Sequence, residues 1–282
     1  VNYELRTEYW GIGLIVIRTC EGHEELEACV QLQVETWGYD VTDMIPRKGF
    51  LVMQKVGGQV LGAFDTELPG TPEKGNGASM VGFALSLPGM KTGSSSPDGR
   101  PFPYIHSHML AVKEEYRNRG LGAQLKLAQR RDALARGITH MEWTFDPVEI
   151  KNAFLNIRKL GAIVRRYSEN FYGVSSSRLQ GGLPTDRLIA EWELDSARVK
   201  GILEGRPSTD LVIEDRICVP ASIYQWKTSE EDRPRALAVQ LENREKFQRA
   251  FGRGLAVIGF QRDSQGNGIF ELGPADQPGL GI

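Results

Sequence analysis

His106 and His108 are separated by one residue within an apolar run at 104–112. Alternate residues of a strand face one side, so the two imidazoles are expected to point together. With a reference pKa of about 6.5, histidine can take the proton that an ammonium must lose before its free amine attacks an acyl carbon. Three plainer roles also suit the pair. They are core residues bonded to backbone, half of a metal site for which no third His or Cys at ligand spacing is evident, or walls of a substrate pocket. Shortly downstream, Arg117-Asn118-Arg119-Gly120-Leu121-Gly122 joins this run to a Leu-, Ala-, Gln- and Arg-rich stretch at 120–135. A strand, a glycine-containing turn and a helix in succession can cradle an anion. Glycine lets the backbone approach closely, and the first helical turn offers free N–H groups and a favourable dipole. The alternative is a turn that only joins strand to helix.

The elements that must position these groups follow from periodicity. Strands are expected at 13–19, 59–65, 80–87, 104–112, 139–145, 162–167 and 185–194, the last with Leu188, Ala190 and Trp192 on one face. Helices are expected at 24–36, 42–54 (capped by Thr42 or Asp43), 120–135 and 149–160, with Gly161 as a C-cap. Gly62 and Gly82 mark a bulge, a close approach, or a small residue beneath a helix. The Gly/Pro-rich segment 68–78 reads as a hairpin loop. The segment 88–103 reads as a long loop, either a substrate-side lid or a mobile connection. Beyond a boundary near residue 196 come a short helix at 196–203 and strands at 210–219 and 221–227 around Pro220. A helix at 235–251 follows, with Leu237, Leu241, Phe247 and Phe251 near a helical period. A hairpin at 255–262 and 268–272 and a loose tail from Pro274 complete the chain. The class is therefore α/β (α+β). Three successive strands without intervening helices argue against a doubly wound or barrel fold.

The chain has 282 residues, enough for one domain with a smaller companion, and a net charge of −2 that gives no electrostatic footprint of a nucleic-acid binder. Cys20, Cys29 and Cys218 form no CxxC pair, which fits reduced thiols. No apolar stretch approaches the length of a membrane span. Glu4, Arg6 and Glu8 interrupt any signal-peptide pattern, so a cytoplasmic location and no membrane partner are expected.

The hexapeptide fits the pattern [Q/R]-x-x-G-x-[G/A], preceded by Leu110-Ala111-Val112 and followed at once by a helix. In that setting the chain resembles the GNAT superfamily of acyl-CoA-dependent N-acyltransferases from about residue 13 to 194. The stretch His106-Ser107-His108-Met109-Leu110-Ala111-Val112 is similar to that of arylalkylamine N-acetyltransferases, in which paired histidines relay a proton. The resemblance implies a mixed central sheet with splayed central strands flanked by helices. It implies a catalytic domain at 1–195 with a smaller α+β extension at 196–282. Coenzyme A pyrophosphate would be bound by the loop of Arg117, Asn118, Arg119, Gly120, Leu121 and Gly122. The pantetheine arm would bond Leu110, Ala111 and Val112, with Asn152 as a further cofactor contact. His106 and His108 would be the catalytic pair, with no metal.

One departure stands out. Where many GNAT enzymes carry a tyrosine that protonates the leaving thiolate, this chain has Ile157, leaving Tyr167 and Tyr172 as candidates. Asp146 and Arg187 are candidate acceptor-binding residues, although Asp146 is equally a turn cap before Pro147. Arg130, Arg131, Arg165 and Arg166 are read mainly as surface charges. Detailed motifs (SHMLAV, LAQR, WTFDP, KLGA and PTDR) resemble a bacterial GNAT subgroup connected with N-acylamino-acid metabolism. Acetyl or succinyl transfer from acyl-CoA to a small-molecule amine, such as an amino acid, is thus expected. A catalytically inert CoA-binding protein is the alternative. A nucleotide binder is disfavoured by the lack of GxxxxGK[ST] or a dinucleotide fingerprint. The extension could add to the sheet, cover the acceptor or form a homodimer.

Overall fold

Runs of β-branched and aromatic residues in the first half of the chain pair in sequence order. The computed structural model describes residues 5–9, 12–68, 79–92, 99–208 and 210–281. They belong to two compact units, Val1–Met141 and Glu142–Ile282. The first unit holds β1 (Leu5–Tyr9), β2 (Ile12–Thr19), α1 (Gly22–Trp37), α2 (Arg47–Lys55), β3 (Gln59–Asp65), β4 (Met80–Lys91), β5 (Phe102–Val112) and α3 (Leu121–Ala135). Its strands lie in the order β1-β2-β3-β4-β5, and each neighbouring pair is antiparallel.

Alternation along these strands sends side chains to two cores. Val60, Phe64, Phe83 and Leu85 pack with Leu26, Cys29 and Leu32 of α1 and Phe50 of α2. Leu61, Ala63, Val81 and Ala84 pack with Leu121, Leu125 and Ala128 of α3. Helices therefore cover both faces, as the α/β class requires. Burying a Phe such as Phe50, Phe64 or Phe83 completely contributes roughly 1.5–3 kcal/mol each. Gly82 is small because an added Cβ would lie 2.8 Å from the Ala111 carbonyl and 3.5 Å from Leu125 of α3. Gly62 is closed by the Phe64 ring, 2.5 Å from such a Cβ.

Several boundaries differ from expectation, each for a local reason. Strand β1 is an addition to the expected string. Helix α2 begins at Arg47, not Thr42. The Thr42 amide and hydroxyl both bond Asp40 Oδ1, at 2.9 and 2.5 Å, forming a turn. Pro46 then disfavours helix at Ile45, whose amide and carbonyl are held by the Gln33 side chain at 2.9 and 3.0 Å. The expected loop 88–103 is shorter, because β4 runs to Lys91 and β5 starts at Phe102, pairing Lys91 with Phe102. Its centre, 93–98, and the loop region 69–78 lie outside the described residues.

The second unit contains most of β6 (His140–Phe145), then α4 (Ile150–Ala153), which runs on as a π-helical turn (Phe154–Lys159), and β7 (Ile163–Ser168). There follow β8 (Arg187–Glu193), α5 (Ala197–Leu203), β9 (Asp215–Val219), α6 (Ile223–Thr228), α7 (Arg233–Gly252), β10 (Leu255–Arg262) and β11 (Gly268–Pro274). The strand order is β6-β8-β7-β10-β11-β9. Leu188, Ala190 and Trp192 are fully buried, as their spacing predicts. Ser196 caps α5 by accepting from the Val199 amide at 3.3 Å.

The expected strand at 221–227 is instead helix α6, which buries Ile223 and Lys227 four residues apart. The buried face of α7 is Ala236, Gln240, Asn243, Phe247 and Ala250, whereas Leu241 is exposed. Two polar residues can line that face because Gln240 donates to Pro184 O and Asn243 to Cys218 O. The tail is anchored, not loose. Leu280 is buried with Ile163, Ala256 and Ile258, and the Arg198 amide donates to Gly281 O at 3.2 Å.

Candidate functional site

The candidate loop is held from behind. Arg117 Nε donates to Val112 O at 2.9 Å, and the Arg117 amide donates to Glu114 O at 3.1 Å. Tyr116, just before it, donates its hydroxyl to Asp65 Oδ2 at 2.6 Å. Burial, then this carboxylate, pushes the Tyr116 phenol well above its usual pKa. The loop itself alternates through left-handed conformations, with φ of +61° at Asn118 and +83° at Gly120. Nothing stands within 4 Å of where a Gly120 Cβ would be, so glycine is required there by φ and not by crowding. Gly120 is the N-cap of α3 and supplies no side-chain cap. The first backbone bond into the helix is Gln124 N to Gly120 O at 3.1 Å. Among the described residues, the amides of 118–123 have no intramolecular acceptor. Such a run of outward N–H groups at the positive end of a 15-residue helix suits a phosphate-like anion.

Strand β5 delivers the histidines through a β-bulge. Leu85 pairs with Met109 and Ser86 with Ser107, so His108 has no opposite residue on β4. The consequence is a change of face within the strand. Leu110 and Val112 pack with α3, and Met109 and Ala111 with α1 and α2. Yet Ser107, two before Met109, contacts α3 residues Lys126 and Gln129. His106 and His108 flank Ser107 and share the opposite face, with ring centroids 6.1 Å apart. Phe102 and Tyr104 continue that row and pack on His140 at 5.9 and 6.2 Å. Burial depresses the pKa of His108 below 6.5, so its imidazole is neutral and able to accept a proton near pH 7.

Beneath the same strand is a polar cluster that periodicity did not single out. Lys126 Nζ donates to Ser107 Oγ at 2.8 Å, and Ser107 donates to Gln129 Oε1 at 2.9 Å. Gln59 Nε2 reaches Gln129 O and Asp132 Oδ2 at 2.8 and 2.7 Å, and Ser86 donates to Gln59 Oε1 at 2.6 Å. Lys126 is only 4% exposed, and burial pushes its ammonium pKa far down. The available signal was a lysine inside the apolar stripe of α3, next to Leu125.

The other candidates lie in the second unit. Asp146 caps the turn through Val148 N at 2.9 Å, and its other oxygen meets Lys227 Nζ at 3.1 Å. Lys227 also donates to Glu149 at 2.9 Å, and burial of the Lys227 ammonium is outweighed by these two carboxylates, which raise its pKa. Arg187 donates to Asp186 O and Gln180 Oε1 at 2.8 and 3.2 Å and lies over the Tyr172 ring. Asn152 is exposed on α4. Ile157 is buried in the π-helical turn. Tyr167 donates to Asp186 Oδ2 at 2.5 Å, and burial together with that carboxylate raises its pKa strongly, so its proton is held. The exposed Tyr172 hydroxyl bonds Thr144 Oγ1 at 3.0 Å.

No protein-family profile matches the chain, and no curated protein sequence does. Among solved structures, Arabidopsis thaliana NAA60 in complex with acetyl-CoA is similar at 15% identity and a TM-score of 0.48, covering 64% of this chain and 99% of that one. The ribosomal-protein-S18-alanine N-acetyltransferase from Escherichia coli matches at 15% identity and a TM-score of 0.44, covering 65% and 96%. The structure of yncA from Salmonella typhimurium with its cofactor acetyl-CoA matches at 15% identity and a TM-score of 0.45, covering 64% and 94%. At such identities and TM-scores the likeness assigns no activity to this chain.

Proposed function

We propose that the chain is an acyl-CoA-dependent N-acyltransferase of the GNAT type, moving an acetyl or succinyl group to the amine of a small molecule such as an amino acid. The supporting observation is the loop 117–122. It holds two left-handed residues and outward amides at the start of α3, directly after a strand that presents two histidines on one face. Those amides, with Gly120 and Gly122 keeping side chains away, would hold the pyrophosphate. Arg117 and Arg119 flank it with positive charge. The backbone of Leu110, Ala111 and Val112 would carry the pantetheine arm, although Val112 O already accepts one bond from Arg117. We assign residues 1–195 to this activity and 196–282 to the extension.

In the reaction the acceptor ammonium gives a proton to a neutral imidazole, His106 or His108. The freed amine then attacks the thioester carbonyl carbon. Backbone N–H groups offset the charge developing on its oxygen. The C–S bond breaks, coenzyme A leaves as a thiolate, and the nitrogen, positively charged after attack, gives its second proton to water. With Ile157 apolar and Tyr167 bound to Asp186, that thiolate is protonated by water, which a thiol pKa of about 8.5 permits. Holding both reactants together supplies much of the acceleration.

Thiol release from acetyl-CoA and succinyl-CoA across an amino-acid and amine panel tests this reading. The expected result is turnover with at least one amine, with Gly122→Glu raising the KM for acyl-CoA roughly tenfold or more by placing a carboxylate against the pyrophosphate. CoA binding without turnover would identify an inert CoA-binding protein. Absence of CoA binding would remove the reading altogether.

A further inference from the structure

A separate cavity of about 250 Å³ lies wholly in the second unit, beside α5, the π-helical turn and β10. Its wall combines Ile157, Ile202, Ile258 and Phe260 with Arg198, Arg158 and Ser208, and more of its surface is polar than apolar. Arg198 is held by two backbone carbonyls, donating from Nε to Gly161 O at 2.9 Å and from Nη2 to Ile258 O at 2.6 Å. These are dipoles, and no carboxylate ion-pairs with the guanidinium among the described residues. Burial accordingly brings its pKa down to about 10 with no acidic group to offset the effect. Arg158 is exposed and also lacks an ion pair among the described residues. Glu271 borders the cavity, but its Oε1 accepts from Gln261 at 3.1 Å and is 3.8 Å from Arg216 Nε.

Arg198 is half-buried, and a cation partly withdrawn from water without a counter-charge carries a desolvation cost. A fold that keeps one at the edge of a cavity is prepared for an anion to supply the missing charge. We propose that this cavity binds a small organic carboxylate with a short apolar body. Its carboxylate would face Arg198 and Arg158, whose planar forks match that geometry. Its body would lie against Ile202, Ile258 and Phe260. The volume is below the roughly 300–1,000 Å³ of sites for drug-sized ligands, which excludes coenzyme A or a nucleotide. Inorganic phosphate alone would leave Ile202, Ile258 and Phe260 uncovered. The site is distinct from the loop at 117–122 and does not depend on the acyltransferase reading.

Calorimetric titration of the full chain with 3-methylbutanoate and phenylacetate tests the proposal, with 3-methylbutanamide and inorganic phosphate as controls. Arg158→Glu and Ile202→Trp are the variants, since Arg198 also ties two backbone segments together and its loss would disturb the fold. We expect saturable binding of at least one acid, with the neutral amide and phosphate weaker by roughly tenfold or more. Arg158→Glu should weaken the acid by about tenfold, and Ile202→Trp should fill the cavity and abolish binding. Added coenzyme A should leave the acid's Kd unchanged. The proposal is overturned if neither acid binds saturably, if the amide binds equally, if both variants leave binding unchanged, or if coenzyme A displaces the acid.

Discussion

Replacing Lys126 by Met should stabilise the protein near neutral pH and change how stability depends on pH. Lys126 is 4% exposed, its Nζ donates to Ser107 Oγ at 2.8 Å, and burial lowers its pKa well below 10.5. Met has nearly the same length and carries no amine to desolvate. Ser107 loses one donor but keeps its own bond to Gln129 Oε1 at 2.9 Å. The sign follows from linkage. Between the lowered native pKa and about 10.4, the unfolded chain holds a proton that the folded chain lacks, so the wild type gains stability as pH rises. The slope attributable to this residue is about 1.4 kcal/mol per pH unit inside that window. Tyr, Cys and the other lysines titrate in both proteins, so the difference between wild type and variant isolates Lys126. Urea denaturation at about pH 8, 9 and 10 should show the advantage of Lys126→Met shrinking by that slope with each unit. Parallel stability curves would refute the reasoning, because they would mean that Lys126 keeps its proton when folded.

Three further outcomes follow from the geometry. Arg244 holds the fully buried Asp186 through two bonds of 2.9 Å, so Arg244→Met should cost about 3–5 kcal/mol in urea titrations, and adding Asp186→Asn should recover part of it. Burial raises the Asp186 pKa, but Tyr167, the Asn170 amide and Arg244 outweigh it and hold it below 3.8. Its stabilisation is therefore present above the usual carboxylate range and is lost as pH falls through the lowered value. Gly82→Ala would place a Cβ 2.8 Å from Ala111 O and should cost about 1–3 kcal/mol in thermal denaturation. If His108 is the base, the acid limb of kcat/KM should have its midpoint below pH 6.5, because burial lowers its pKa, and His108→Ala should remove that limb.

Much of the fold was legible because its strongest signals are local. Apolar runs placed β2, β3 and β5, and Gly120 marked where α3 begins. What escaped was decided by partners distant in sequence. Helix α6 looks like a strand until Lys227 is seen to bury its ammonium between Asp146 and Glu149. The inner face of α7 includes Gln240 and Asn243, polar residues that only the carbonyls of Pro184 and Cys218 make acceptable in a core. Within the candidate site, spacing correctly put His106 and His108 on one side. It also held a signal for Lys126, which sits in the apolar stripe of α3, but a charged residue on a helix is ordinarily assigned to solvent.

The bulge at His108 makes that residue a guest in an otherwise regular ladder. Every other β4 partner from Phe102 to Val112 is matched, and the pairs on either side, Leu85 with Met109 and Ser86 with Ser107, are adjacent on β4. Excising His108 would therefore close β5 against β4 without moving any of the existing β4 pairs. Met109 and Ser107 would then alternate as neighbours do. Deletion and substitution are thus different operations at this position. Substitution removes an imidazole from a bent strand, whereas deletion removes the bend as well and leaves the same sheet without its fold in the ribbon. The β4 ladder does not use His108, and its presence lengthens the path between His106 and the loop at 117–122 by one residue.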